Sequence, residues 1–383
     1  MRFIQTGDWH LGRLFHNQHL TADQRFTLDA LQRLAEERRV DAVVIAGDVY
    51  DRAVPPTEAV ELLNDVLGHM ALELRIPVVM IAGNHDSPVR LQYLNGLVSR
   101  VGVHVVGAVG ARPQGVEIVG ADGVRVVFWP LAYTDPETAR CDLSREDIHT
   151  HEAAICAHIA MIREQMPHDS RNVVVGHAFV TGAAPSESER PLTVGGTGEI
   201  SCDVFEGFDY VALGHLHRPQ AVTDRVRYAG SLLKYSFDEA DHRKSVTIVD
   251  MDSDGGVVCE EVALPARHEL IRLIGSFDEL MAGPVDPLHK DAYVEVKLTD
   301  SESALDPMQR LRTLYPNILS LTRETIDGGP STGPVCLPKA RKTDELFAEF
   351  FEDVTGRALG AERELQLEAV LGELERERRE VAS

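Results

Sequence analysis

DAVVIAGDVYDR, residues 41–52, and PVVMIAGNHDS, residues 77–87, decide the fold. Each drives a run of Val, Ile and Met into a glycine and then into polar residues. Short, uninterrupted apolar runs rich in β-branched side chains suit strands buried on both faces. Three more stretches repeat the pattern. RFIQT runs into Gly7-Asp8-Trp9-His10, NVVV into Gly176-His177, and DYVAL into Gly214-His215-Leu216-His217. VRVVFWP (124–130), VRYAGS (226–231) and SVTIVDM (245–251) read as further strands, and 21–38 and 57–74 read as helices. The expected fold is α/β, with central β-sheet layers flanked by helices. Ligands of such sheets bind just past the carboxyl ends of the strands, so five segments deliver polar groups to one place.

After Pro265 the pattern changes. HELIRLI, SFDELM, DAYVEVKL, MQRLRTLY and ILSLTRE alternate strand, helix, strand, helix, strand. This predicts a small α+β domain at 266–327, separate from a body at 1–265. Residues 328–341, dense in Gly and Pro at their start, read as a linker. Residues 342–383 read as C-terminal helices, with Phe347, Phe350, Phe351 and Val354 forming an apolar stripe. Such a stripe beyond a linker has the form of a helix that docks in a partner's groove. Packing on its own domain is the alternative.

The chain has 383 residues, 44% hydrophobic and 26% charged, which is a globular composition. No apolar run approaches the ~18 residues of a membrane span. The start MRFIQTGDWH reaches a candidate ligand by Asp8 without an apolar leader, so a cytoplasmic protein is expected. Five scattered cysteines without a CxxC pair predict neither a disulfide framework nor a zinc knuckle. The net charge of −23 counts against autonomous tight binding to a nucleic-acid backbone.

Asp8, His10, Asp48, Asn84, His177, His215 and His217 all follow apolar strands, at or near a glycine turn. Any one of them alone could be a turn former. Asp8/His10 and His215/His217 are spaced by two, so in extended chain the side chains of each pair point the same way. Two such pairs with Asp48, Asn84 and His177 are hard to explain as packing. Buried charge and imidazole are costly unless paired or bound to metal.

Asp8-x-His10, Gly47-Asp48-x-x-Asp51-Arg52, Gly83-Asn84-His85-Asp86, Gly176-His177 and Gly214-His215-x-His217 together resemble the calcineurin-like metallophosphoesterases, in order and in all five blocks. The resemblance implies two divalent metal ions. Asp8, His10, Asp48 and His217 would hold one, Asp48, Asn84, His177 and His215 the other, with Asp48 bridging. The mixed oxygen and imidazole donors fit Mn, Fe or Zn better than Mg. His85 is then the candidate proton donor, Asp51 its orienting partner, and Arg52 a contact to a phosphate oxygen.

GDVYDRAVPP, SESERPLTVGG, FDYVALGHLHRPQ and YAGSLLKYSFDEADHRKSV extend the likeness to the SbcD family of bacterial nuclease subunits over most of 1–265. That likeness implies Mn-dependent exonuclease activity on double-stranded DNA ends and endonuclease activity on single-stranded or hairpin DNA. It also implies that the 266–327 domain caps the site, and that a homodimer pairs with an SbcC-type ATPase through the C-terminal helices, in DNA repair and recombination. Leu62, Leu63, Val66, Leu67, Leu91, Leu94 and Leu97 fall where family analogy puts a dimer contact; covering the sheet is their simpler role. Three other readings compete. A nucleotide phosphodiesterase would use the same metals on a smaller substrate. A DNA-tethering scaffold would have lost a ligand, and none is missing. A protein phosphatase would carry Gly where Ala53 follows Arg52.

Overall fold

The computed structural model describes residues 1–189, 192, 198–284, 286–300 and 305–323. The expected linker, the C-terminal helices with their Phe347, Phe350, Phe351 and Val354 stripe, and part of the SESERPLTVGG stretch lie outside the described residues.

Two six-stranded sheets pack face to face. The first runs Val257–Ala263, Ser245–Met251, Arg2–Thr6, Ala42–Ile45, Val78–Ile81 and Val103–Val106. Its last four strands are mutually parallel, and the first two are antiparallel additions at the edge. The second runs Gln220–Ala221, Val226–Tyr228, Tyr210–Gly214, Arg171–His177, Arg125–Leu131 and Val116–Val119. It is parallel through its four central strands.

Alternation along the first sheet explains its unbroken apolar runs. Phe3, Val44, Val79 and Ile81 face the second sheet and join Phe128, Val173, Val175 and Leu213 in the inter-sheet core. Ile4, Val43, Ile45, Val78 and Met80 face the other way, against Leu28, Leu31, Leu62 and Val66. The last four belong to the helices Thr21–Glu37 and Thr57–Gly68. Helix Thr21–Glu37 buries Gln24, Thr27, Leu28, Leu31 and Ala35, the helical spacing of a face laid on a sheet. Between the sheets, Phe3 meets Phe128 edge-on with centroids 5.3 Å apart. Gln5, buried in the same seam, donates to the carbonyls of Leu213 (3.2 Å) and Arg227 (2.9 Å) and accepts from the Tyr210 hydroxyl at 2.6 Å. A polar group is tolerable there because its hydrogen bonds are met.

A third sheet lies C-terminal to these. Leu270–Gly275, Tyr293–Leu298 and Ile318–Arg323 are parallel and linked by crossovers that include the short helices Phe277–Met281 and Pro307–Leu311. Ser276 and Glu279 form a reciprocal capping box that starts the first of them. This element has its own core of Phe277, Leu280, Val294, Val296, Leu298, Leu311, Tyr315 and Ile318. It is tied to helix Thr21–Glu37 through buried Asp23, which binds His268 at 2.6 Å and accepts from the Tyr293 hydroxyl at 3.2 Å. Lys234 also pairs with Glu269 at 2.6 Å. The described residues fall in one compact unit.

The leucines considered for a dimer contact divide. Leu62, Leu63 and Val66 are buried against the sheet, whereas Leu94 and Leu97, like Val89 and Tyr93, stand exposed on and between the short helices Pro88–Leu91 and Asn95–Val98. Among the described residues no helix is long and apolar enough to cross a membrane.

Candidate metal centre

Parallel strands end on the same edge, so each sheet delivers its glycine turns to the same side. The turns then bond to one another. Asp8 N–H donates to the Gly47 carbonyl at 3.0 Å, and His10 N–H to the Asp48 carbonyl at 2.9 Å. Across the seam His177 Nδ1 meets the Ala46 carbonyl at 2.9 Å, and His215 N–H donates to the Asp8 carboxylate at 2.9 Å. Two glycines make this convergence possible. A Cβ on Gly83 would sit 2.2 Å from Asp48 Oδ1, and one on Gly47, whose φ is +91°, would sit 2.5 Å from His177 Nδ1. Asp8, His10, Asp48 and His215 themselves have φ of 49°, 44°, 46° and 105°. Non-glycine residues rarely hold such backbone without compensation, and strain of this kind gathers at functional sites.

All seven candidate ligands come together. The donor atoms of Asp8, His10 and Asp48 lie within 4.8 Å of one another, and so do those of Asp48, His177 and His215. Asp48 is common to both groups. Its Oδ2 lies 3.7 Å from His10 Nε2 and 3.5 Å from His177 Nε2. His217 Nε2 approaches His10 Nε2 at 3.1 Å, and Asn84 Oδ1 approaches His177 Nε2 at 2.9 Å. The cluster is therefore compatible with a dimetal site.

The electrostatics fit cations. Burial, and then the neighbouring Asp48, push the Asp8 carboxyl well above its usual range. Burial works against the Asp48 carboxylate too, but His177, His10 and His85 around it hold it below its usual range. Burial lowers His177 and His215, and brings His217 down to about 4 although Glu239 opposes it. Neutral imidazole is the form that ligates metal. His10 Nδ1 is buried without a hydrogen-bond partner among the described residues. Two buried carboxylates among imidazoles whose ring nitrogens face each other at hydrogen-bond distance are what a pair of divalent ions would reconcile.

His85 sits beside this cluster. Its N–H donates to Asp48 Oδ1 at 2.9 Å, and its ring lies 4.7 Å from that of His10. Asp51 touches it differently from the expectation. The Asp51 main-chain carbonyl receives His85 Nδ1 at 2.9 Å, while the carboxylate pairs with Arg13 at 2.8 Å and lies 3.6 Å from His10 Nδ1. Burial would raise that carboxyl, but His10 and Arg13 bring it down to about 2. Arg52 is exposed and makes no hydrogen bond or ion pair with the described residues, whereas Arg13 reaches the cluster through Asp51.

Several supporting residues escaped the sequence reading. Gln24, from helix Thr21–Glu37, donates to the carbonyls of Trp9 (3.1 Å) and His10 (2.7 Å) and accepts from Gly12 N–H at 3.1 Å, fixing the turn that carries Asp8 and His10. Asp86 accepts from the N–H groups of Val49 (3.0 Å), Tyr50 (2.9 Å) and Gly83 (2.9 Å), joining the two decisive turns. Burial first, and Asp48 second, push its carboxyl up to about 7 against those hydrogen bonds. The signal for Asp86 was present in GNHD; nothing in the sequence marked Gln24.

Comparison with known proteins gives matches along the same lines. A sequence model described as calcineurin-like phosphoesterase matches residues 1–219. A second, SbcD_C, described as type 5 capsule protein repressor C-terminal domain, matches residues 266–355. Among solved structures, TT1561 of Thermus thermophilus is 12% identical with a TM-score of 0.35, covering 68% of this chain and 98% of its own. A dimetal phosphatase from Danio rerio is 13% identical with a TM-score of 0.43, covering 69% and 96%. YfcE, a phosphoesterase from E. coli, is 16% identical with a TM-score of 0.27, covering 69% and 100%. At such scores these likenesses carry no weight for the reaction.

Proposed function

Since the chain belongs to the calcineurin-like phosphoesterase family, we propose that it is a DNA nuclease subunit that hydrolyses phosphodiesters with two divalent metal ions, Mn2+ by preference. The two family matches in this order support an SbcD-type subunit. The observation that carries the reading is the pair of donor groups sharing Asp48. Asp8, His10, Asp48 and His217 would hold one ion, and Asp48, Asn84, His177 and His215 the other. When bound, such a pair acidifies a water and neutralises the phosphoryl oxygens.

The rest of the chemistry falls to the protein. A carbonyl only accepts, so the Asp51 carbonyl fixes the proton of His85 on Nδ1 and leaves Nε2 facing away from it. In the imidazolium form Nε2 carries a second proton, which the leaving oxygen of the cleaved strand can take. Asp48, which accepts from the His85 main-chain N–H, anchors that residue beside the cluster. A cleft of about 510 Å³, lined by Arg13, His16, Glu187, Tyr235 and Asp238 from the body and by Arg272 and Glu295 from the third sheet, lies beside the cluster, where the Tyr235 ring is 5.4 Å from that of His10. Arg272, paired with Glu295 at 2.6 Å, reaches this cleft from the third sheet, which supports a capping role for the 266–327 domain.

Exonuclease action on double-stranded ends and endonuclease action on single-stranded or hairpin DNA follow from this assignment, in repair and recombination. So does association with an SbcC-type ATPase through residues 342–383, which would contribute DNA-binding surface to a chain of net charge −23. Exposed Val89, Tyr93, Leu94 and Leu97 support a homodimer contact.

Purified chain incubated with Mn2+ and end-labelled duplex or hairpin DNA provides the test. Asp48→Ala should lose both metal uptake and cleavage. His85→Gln should keep the metal and lose about 10²–10⁴-fold in rate. Equal cleavage by all three proteins would refute the assignment. Turnover of a small phosphodiester with no DNA cleavage would favour a nucleotide phosphodiesterase instead.

A further inference from the structure

His217 is gripped on three sides by groups that no part of the catalytic assignment uses. Its main-chain N–H donates to Glu189 Oε1 at 2.6 Å. Its carbonyl accepts from Lys244 Nζ at 2.7 Å and from Ser231 N–H at 3.0 Å. Its ring Nδ1 faces Glu239 Oε1 at 3.1 Å and Ser188 Oγ at 2.7 Å. Glu239 is fully buried at 0% exposure, and its other oxygen is bonded to Lys244. Ser188 Oγ donates to Glu239. Lys244, also buried, is further held by Ser231 Oγ at 2.8 Å.

A buried carboxylate and ammonium cost solvation that their mutual attraction need not recover, so such a pair is weak evidence of stabilisation alone. What this pair contacts is informative. A carboxylate oxygen can only accept, so the partner at 3.1 Å must supply the proton. With Nδ1 protonated toward Glu239, the Nε2 lone pair of neutral His217 points the other way, toward His10 Nε2 at 3.1 Å. Ser188 cannot impose this choice, because a hydroxyl can donate or accept. Its own proton is already committed to Glu239, leaving an oxygen that accepts and so favours the same tautomer.

We propose that Glu239, held in place by Lys244, is a positioning residue that locks His217 in the Nδ1–H tautomer with Nε2 presented to the metal pocket. Resting on the assignment of His217 as a ligand, the inference adds a reason why FDEADHRK, 237–244, belongs to the site. Glu239 lies on the one-turn segment Phe237–Glu239, started by the Ser236 side chain, which accepts from Asp238 N–H. The lock is thus built from chain that follows all seven ligands. Outer partners of this kind typically change metal affinity about 10–100-fold.

Two measurements on the 383-residue chain test it. The first is the tautomer of His217 in metal-free protein, read from the ring nitrogen shifts of a histidine-labelled sample and assigned with His217→Gln. A protonated Nδ1 and bare Nε2 are expected; a proton on Nε2 overturns the proposal without any Glu239 variant. The second is calorimetric titration with Mn2+ of wild type, Glu239→Gln, and the double variant Glu239→Met with Lys244→Met. The double variant strands neither charge and leaves Ser231 N–H on the His217 carbonyl, so a loss of affinity in it is not the cost of an unpaired buried charge. Binding of one ion should weaken about 10–100-fold in the variants while the other is little changed. Unaltered affinity for both ions in a folded variant overturns the lock and leaves the metal assignment standing. Absence of manganese uptake by wild type overturns both readings.

Discussion

Asp86 shows how one side chain can set the geometry of others. One carboxylate oxygen accepts from Val49 and Gly83, the other from Tyr50, so the turns carrying Asp48 and Asn84 are tied at one point. In Asp86→Asn one accepting oxygen becomes an NH2 group facing a main-chain donor. Burying an unmet donor costs about 1–3 kcal/mol. The variant should lose that much in chemical denaturation measured with a chelator present. A midpoint equal to wild type would show that the tie contributes nothing. Backbone conformation at this scale tells the same story: Asp8, His10 and Asp48 hold left-handed φ values because Gln24 and the ladder to Gly47 and Asp48 fix their turn. Spacing in the sequence pointed to Asp8 and His10 as a pair, but an extended chain is not what aims them.

At the scale of elements, the third sheet is joined to the body by part-buried polar contacts and by Leu270, Tyr293 and Leu319, which pack on the body's core. Asp23 is the central one, since it binds both His268, just before strand Leu270–Gly275, and Tyr293, which opens strand Tyr293–Leu298. Asp23→Ala would remove both bonds while leaving the separate core around Val294, Val296 and Leu311 untouched. Hydrogen exchange in Leu270–Gly275 and Tyr293–Leu298 should therefore quicken, with the strands of the body unchanged. Identical protection in the variant would mean that apolar packing alone seats the sheet. The strand, helix, strand, helix, strand order of this segment was legible from alternation and breakers. Its attachment to helix Thr21–Glu37 was not, because that contact joins residues some 245 positions apart.

For the whole molecule, the governing fact is a net charge of −23 on a protein proposed to cut a polyanion. Metal ions can hold the scissile phosphate, but long-range repulsion limits unaided grip on DNA. Deleting residues 342–383 should leave the chain's basal manganese-dependent cleavage intact and abolish copurification with the coiled-coil ATPase. Copurification of the truncated chain would place the contact elsewhere. The exposed face of Val89, Tyr93, Leu94 and Leu97 remains available to a second copy in either case.

The sequence by itself marked most of the central strands and the seven side chains that converge, because each apolar run ending in glycine and a polar residue is a local signal; the edge strands Val103–Val106, Val116–Val119 and Val257–Ala263 and the order of strands in the sheets were not marked. It also carried the family likeness. Tertiary structure alone decided how those side chains are held. It assigned the contact to His85 to the Asp51 carbonyl in place of its carboxylate, turned that carboxylate to Arg13, and left Arg52 in solvent. It also brought Gln24, Glu239 and Lys244 to the turns they support. These are contacts between distant segments made through hydrogen bonds in a buried seam, where an unmet polar group is costly. No periodicity records them, since they depend on which strand ends meet across the two sheets.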